Sequence, residues 1–286
     1  MKRRLLYRNL IATTVAVMGV VLLDGCAGSS VHRRLDFQPG VRVILAVDRR
    51  KAGAVDAARM EAARAVLENR ITGLEVASQL TRRGEGGFEL LLPAGVNVDR
   101  VVRILTVTAQ LEFRWLKSVQ SKRNPTARYR MEVAHSGRGQ PGTYTFYEGD
   151  KPVPEQKILN QSPLILTGRD LEPTSAQDTD LQTGEIVVTF KLKPQGTRIF
   201  ANFTRQHVDE MLAIVLDGKI IVVPCINEPI TDGQGLILGG FKTPQEARDL
   251  AVRLNSGPLP APLRVVKREK VGARLPPPGE NAPQRR

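Results

Sequence analysis

The chain has 286 residues, 41% of them hydrophobic, and a net charge of +13, which supplies apolar material for one large core or two small ones. Its two cysteines impose no disulfide framework. The charge is uneven: residues 164–263 hold 12 acidic against 9 basic side chains, while the segments around them are basic, and aromatics make up only 5%. Without a stacking platform between the basic residues, and with an export signal at the N-terminus, nucleic acid is excluded as the partner, leaving anionic lipid or acidic polypeptide.

Lys2, Arg3, Arg4 and Arg8 precede an uncharged run from Leu10 to Leu23, the order of a secretory signal. This run falls short of the roughly 20 residues a helix needs to cross a bilayer, which favours cleavage or lipid attachment over a permanent span. Leu22-Leu23-Asp24-Gly25-Cys26 is similar to a bacterial lipoprotein lipobox, so Cys26 is the expected lipid attachment residue. An uncleaved anchor and free export stay open beside it. Residues 1–25 are accordingly signal peptide or membrane anchor, and the expected location is the cell envelope, facing the periplasm or extracytoplasmic side. If Cys26 is acylated, Cys225 has no partner for an intramolecular bridge and reads as a small hydrophobe at a strand end.

Between Val55 and Ala77, Met60, Ala63, Leu67, Ile71 and Leu74 recur at steps of three and four, predicting an amphipathic helix with Glu61, Arg64, Glu68 and Arg70 mainly on its other faces. FELLL (88–92) predicts a strand, and Asn97 caps a helix presenting Val98, Val101, Val102 and Leu105 on one side. In the next strand, Leu111, Phe113 and Trp115 alternate with Glu112 and Arg114. With LRVVKRE (263–269) as a returning fourth strand, the order fits an α+β fold whose base is a ferredoxin-like split β-α-β unit. Residues 117–163 hold Asn124-Pro125, four glycines and prolines between 137 and 142, and Pro152 and Pro154, predicting a loop-rich insertion with one hairpin around Tyr144 and Phe146. IVVTFKL (186–192) then reads as a strand, and Pro194–Met211 as a helix with Ile199, Phe200 and Phe203 inward. Asp217-Gly218 between LAIVL and KIIVV is a hairpin turn needing two positive φ angles. GLILGGF (235–241) follows, and a last helix is opened by Thr243, Pro244 and Glu246 and closed by Gly257-Pro258. The tail, 273–286, is proline-rich, basic and disordered by composition.

Several of these segments carry a family resemblance. Leu35-Asp36-Phe37-Gln38-Pro39-Gly40, followed by VRVILAV, resembles the Leu-Asp-Leu-x-Gly-Gly turn of the SecD family, with Pro39 in place of a glycine. VLENRITGLEV (66–76) is similar to its Arg-Val-Asn-x-Leu-Gly-Val helix end, TAQLEFR (108–114) to its next strand, and LTGRDL (166–171) to the opening of its head subdomain. The stretch 212–265 resembles the same domain, the first periplasmic domain of the bacterial protein-export accessory subunit. This implies a base subdomain at 35–116 completed by 263–272, the insertion at 117–163, and an inserted α+β head at 164–262. The family carries further transmembrane helices after this domain, including its proton-coupling residues. Here Gly272 leads into ARLPPPGENAPQRR, and the domain is expected to act without them.

Little in the sequence points to catalysis. A literal G-x-G-x-x-G at Gly137, Gly139 and Gly142 is followed by β-prone TYTFY instead of the helix a nucleotide site requires. His32, His135 and His207 are isolated, without metal-ligand spacing. No cofactor or metal and no enzymatic activity are expected. The expected role is assistance to protein export by non-catalytic contact with unfolded or translocating polypeptide, at a surface formed by Phe200, Phe203, Ile226, Asn227, Glu228, Pro229 and Ile230. Expected partners are that polypeptide, the export channel with its accessory membrane subunits, and the membrane surface through the anchor and basic segments. The alternative is an envelope lipoprotein that uses the same fold as a scaffold or docking module.

Overall fold

The computed structural model describes residues 40–52, 55–134, 142–181, 183–238 and 240–272. Cys26, the N-terminal apolar run, the 35–39 turn, His32, His135 and the 273–286 tail lie outside them. β1 (Gly40–Val47) buries Val43, Leu45 and Val47 and turns Arg42, Ile44 and Ala46 to the opposite face, as a period of two requires. A single turn, α1 (Arg49–Ala52), leads to α2 (Ala57–Gly73), whose N-cap Asp56 carboxylate accepts the Arg59 backbone N–H at 2.7 Å. The hairpin of β2 (Gln79–Arg83) and β3 (Gly87–Pro93) follows, and then α3 (Val98–Thr106), where Asn97 Oδ1 accepts the Arg100 N–H at 3.0 Å. The last strand, β14 (Leu263–Val271), returns only after the whole head has been built.

The base sheet runs β14-β1-β3-β2, antiparallel throughout. Met60, Leu67, Val101 and Leu105 of the two helices pack on one face of it, against Val43, Leu45, Phe88 and Leu90. This is the ferredoxin-like order. One strand differs from the expectation. β4 (Leu111–Trp115), anticipated as the base's next strand, pairs instead with β8 (Leu164–Thr167) and β11 (Leu212–Leu216) in the head sheet β12-β11-β4-β8. Its place in the base is taken by β2, a mostly exposed edge strand.

The anticipated loop-rich stretch is more ordered than its prolines suggest. β5 (Arg130–Ala134), β6 (Thr143–Glu148) and β7 (Lys151–Val153) make a three-stranded sheet, followed by α4 (Glu155–Gln161). They enclose a satellite core in which Tyr129, Phe146, Ile158 and Leu159 meet Ala213 and Val215. Outside it, Glu148 accepts hydrogen bonds from Lys157 and Arg128, which hold its carboxyl below the usual carboxylate range. The remainder of the head comprises β9 (Ala176–Thr179), β10 (Ile186–Lys191), α5 (Pro194–Gln206), β12 (Lys219–Val222), β13 (Gln234–Ile237) and α6 (Pro244–Ser256). Asp217 and Gly218 take φ of 52° and 78° in the turn joining β11 to β12. Thr243 Oγ1 accepts the Glu246 N–H at 3.3 Å at the start of α6, and Gly257 (φ 75°) ends it.

Two arginines tie base to head. Arg70, expected on a polar face of α2, is fully buried. Its guanidinium donates to the carbonyls of Ile104, Leu105 and Val107 at the end of α3, and to those of Thr108 and Gly257, while its Nε reaches Ser256 Oγ. Thr108 and Gly257 lie on the two chain segments that cross between base and head. Burial, reinforced by nearby Arg253, pulls its pKa down to about 10, so the group is still charged at neutral pH. Helix C-termini are the natural environment for such a cation. Arg100 of α3 makes the second tie, gripping the Asp249 carboxylate of α6 with Nε and Nη2 at 2.7–3.3 Å. At the end of α2, Glu75 holds φ of 54°, a conformation that strains a residue with a Cβ.

Candidate functional site

α5 begins at Pro194 and ends at Gln206 with His207 as its C-cap, and this end of it brings three rings together. The i,i+4 spacing of Phe203 and His207 places their rings face to face, 4.3 Å between centroids and 19° from parallel. Trp115, at the end of β4, meets His207 edge-on at 4.4 Å and Phe203 at 6.1 Å. His207 is oriented by its Nδ1, 2.8 Å from the Phe203 carbonyl. The indole N–H of Trp115 donates to the Glu210 carboxylate, which also pairs with Arg123 at 3.4 Å. All three rings are half-buried, and Phe203 packs at the margin of the head core.

The segment after β12 runs past this cluster. Met211 and Cys225 form a β-bridge, and the Ile226 N–H donates to the Glu210 carbonyl at 2.9 Å. Beyond it, the Ile230 N–H donates to Thr204 Oγ1 of α5 at 2.9 Å. Between these two anchors Asn227, Glu228 and Pro229 are exposed.

Of the seven residues expected to form one surface, the structure leaves five there. Phe200 is 2% exposed and packs edge-on to Phe113 at 5.9 Å, while Ile226 is 4% exposed. Both side chains are core because they face the sheet from α5 and from the bridge. Phe203 and Ile230 are half-buried and lie at the margin of the same core. Ile199, expected inward, turns outward at 41% exposure. Trp115 and His207 were not expected in the site. Their signal was available in the i,i+4 spacing of Phe203 and His207 and in an alternating strand that ends on tryptophan. Cys225 is half-buried and free. Gly142 of the glycine motif leads into β6, a strand. Among the described residues no three His, Cys, Asp or Glu side chains converge as a metal site would require. The arrangement can hold a ligand by apolar and aromatic contact, with carboxylate and guanidinium groups at its border.

Comparison with known proteins agrees with this architecture. Residues 144–261 match the family described as the SecDF P1 head subdomain. The protein translocase subunit SecD of Acetobacter pasteurianus is 33% identical over 238 residues, covering 82% of this chain and 42% of that protein. Protein translocase subunit SecDF of Thermus thermophilus is 33% identical over 248 residues, covering 86% and 32%. A crystal structure of SecDF in a super-membrane-facing form superposes with a TM-score of 0.64 at 28% identity, over 84% of this chain and 31% of that one. A second solved chain, from work on SecDF as a membrane component that enhances protein export, gives 0.58 at 29% identity, over 79% of this chain and 98% of that one. The chain therefore spans less than half the length of these two curated relatives.

Proposed function

The chain belongs to the SecD family, carrying its first periplasmic domain as a base with an inserted head, and from that premise we propose that it assists protein export by non-catalytic contact with unfolded or translocating polypeptide at the head. The observation behind this is the half-exposed cluster of Trp115, Phe203 and His207 beside the exposed 227–229 turn and Ile230. Half-buried rings held against one another offer apolar area without losing much side-chain entropy on binding. Phe200 and Ile226 support the surface from below. Among the described residues β13 is also an unpaired edge, carrying exposed Leu236, where an extended chain gains main-chain hydrogen bonds.

A fragment beginning at residue 31 is expected to bind an unfolded, apolar-rich polypeptide with micromolar affinity, measured by fluorescence anisotropy. Phe203→Asp and Ile230→Asp should each weaken binding about tenfold, the equivalent of about 1.4 kcal/mol. Binding should survive 0.5 M salt, because apolar contact is not screened. Affinity that vanishes with salt and ignores both substitutions would overturn the proposal and point to the basic surface instead.

Anchorage at the membrane, on the periplasmic side, belongs to the same proposal, with Cys26 as the acylated residue. Cys26→Ser is then expected to move the protein out of the membrane fraction. N-terminal sequencing that finds an intact Met1 on the mature membrane-bound protein would exclude acylation.

A further inference from the structure

On the open face of the base sheet, away from the helices, one cross-strand row has a distinctive composition. Arg264 of β14 stands opposite Ala46 of β1, Ala46 opposite Gly87 of β3, and Gly87 opposite Arg83 of β2. Paired residues share a face, so the two inner strands contribute almost no side chain and the two outer strands each contribute an arginine. The result is a saddle about 14 Å wide between outer Cα atoms, taking about 4.8 Å for each step between strands. Gly87 is obligatory in it, since a Cβ there would stand 2.9 Å from the Leu45 carbonyl oxygen. One end is closed by the turn of α1, where the Arg49 guanidinium lies over Gly86 and Arg50 follows.

These groups border a cavity of about 740 Å³ that is open on one side to solvent. Four guanidiniums line it against one carboxylate, that of Asp48, which accepts the Arg50 backbone N–H at 3.2 Å. Arg83 shares Glu89 with Arg42, at 3.2 Å from each. Arg49, Arg50 and Arg264 make no ion pair among the described residues. The floor, formed by Ile44, Ala46 and Val266, has no aromatic surface or hydrogen-bonding side chain with which to hold a base or select a peptide side chain. Recognition there rests on charge, and every cation is an arginine, the residue whose planar fork matches oxyanions bidentately.

We propose that this cavity binds a phosphate-bearing anion, either the headgroup of an anionic lipid or a free phosphate compound. It is independent of the head surface and of the polypeptide contact assigned to it.

The test uses the full chain in a neutral detergent, titrated calorimetrically with sodium pyrophosphate at low ionic strength. Arg83→Gln combined with Arg264→Gln is expected to weaken binding more than tenfold while leaving the melting temperature in place. Lys219→Gln combined with Lys242→Gln, which removes the same charge from the head, should change it less than twofold. Should the first pair fail to fold, Arg49→Gln with Arg50→Gln probes the closed end of the same cavity. Repeating the titration with phosphatidylglycerol doped into the micelles separates the sources: displacement of pyrophosphate assigns the headgroup, and undisturbed binding assigns a free phosphate compound. The proposal is overturned if pyrophosphate does not bind, if both pairs weaken it equally, or if an oligoglutamate peptide occupies the site more tightly than pyrophosphate.

Discussion

Replacing Arg70 with alanine is expected to lower the unfolding free energy by about 3–5 kcal/mol, as two or three buried acceptors losing their donor at about 1–3 kcal/mol each would give, read from the denaturant midpoint at unchanged slope. Its guanidinium serves five carbonyls and a hydroxyl. Without it the Thr108 carbonyl keeps the Leu259 N–H at 2.8 Å, while the others lose the Arg70 donor, at about 1–3 kcal/mol for each one that water cannot reach. The ends of α3 and α6 also lose the cation facing their negative poles. The cost of burying the charge, visible in its lowered pKa, offsets part of this but is already met in the native fold. Arg70→Lys should fall between, losing about 2 kcal/mol, because a point charge cannot reach both crossing segments at once. A variant within 0.5 kcal/mol of the parent would mean that these carbonyls find other donors.

Gly233→Ala is the second large expected effect, at about 3 kcal/mol. Gly233 holds φ of 71°, and a Cβ there would lie 2.2 Å from Thr197 Oγ1 and 3.0 Å from both Cβ and Cγ2 of the same threonine. Rotating Thr197 does not clear the overlap, so the helix or the loop must move. Positive φ contributes about 1–2 kcal/mol and overpacking about 1–3 kcal/mol. Gly218→Ala supplies the control: its φ of 78° is similar, but nothing lies within 4 Å of the added atom, so about 1 kcal/mol is expected. Equal losses in the two variants, measured by thermal melts, would show that the clash at Thr197 is relieved. Because Gly233 also accepts the Leu192 N–H at 2.8 Å, the alanine should disturb the approach to β13 and the loop carrying Ile230.

Local chemistry was legible from the chain alone. Asp217-Gly218, Asn97, and Thr243 with Pro244 each determine their turn or cap through a few neighbouring atoms. Pairing across the sheets was less so. β2 is a polar edge strand in which only Leu80 turns to the core, so it has too little alternation to read. β4 has a clear pattern, but nothing within it says whether its partner is β3 or the distant β11. Arg70 illustrates the same limit, because charge normally marks the outside of a helix, and only the carbonyls converging from α3 and α6 make its burial tolerable. In the candidate site, periodicity grouped Phe200 with Phe203 on one side of α5. One helical turn separates core from surface there, and that boundary is drawn by β4 and the 226–230 segment.

The base sheet has an interrupted assembly order. β1 lies between β3 and β14, yet β14 follows the entire head in the chain. A polypeptide emerging N-terminus first therefore completes α2, the β2–β3 hairpin and α3 while β1 still has one unpaired side. That edge stays open until residue 263 arrives, which makes base closure a late, long-range step. During this interval the exposed edge is a place for wrong pairing with other extended chains. Under the proposed role beside unfolded polypeptide, the head would have to form promptly enough to deliver β14 before another extended chain takes its position.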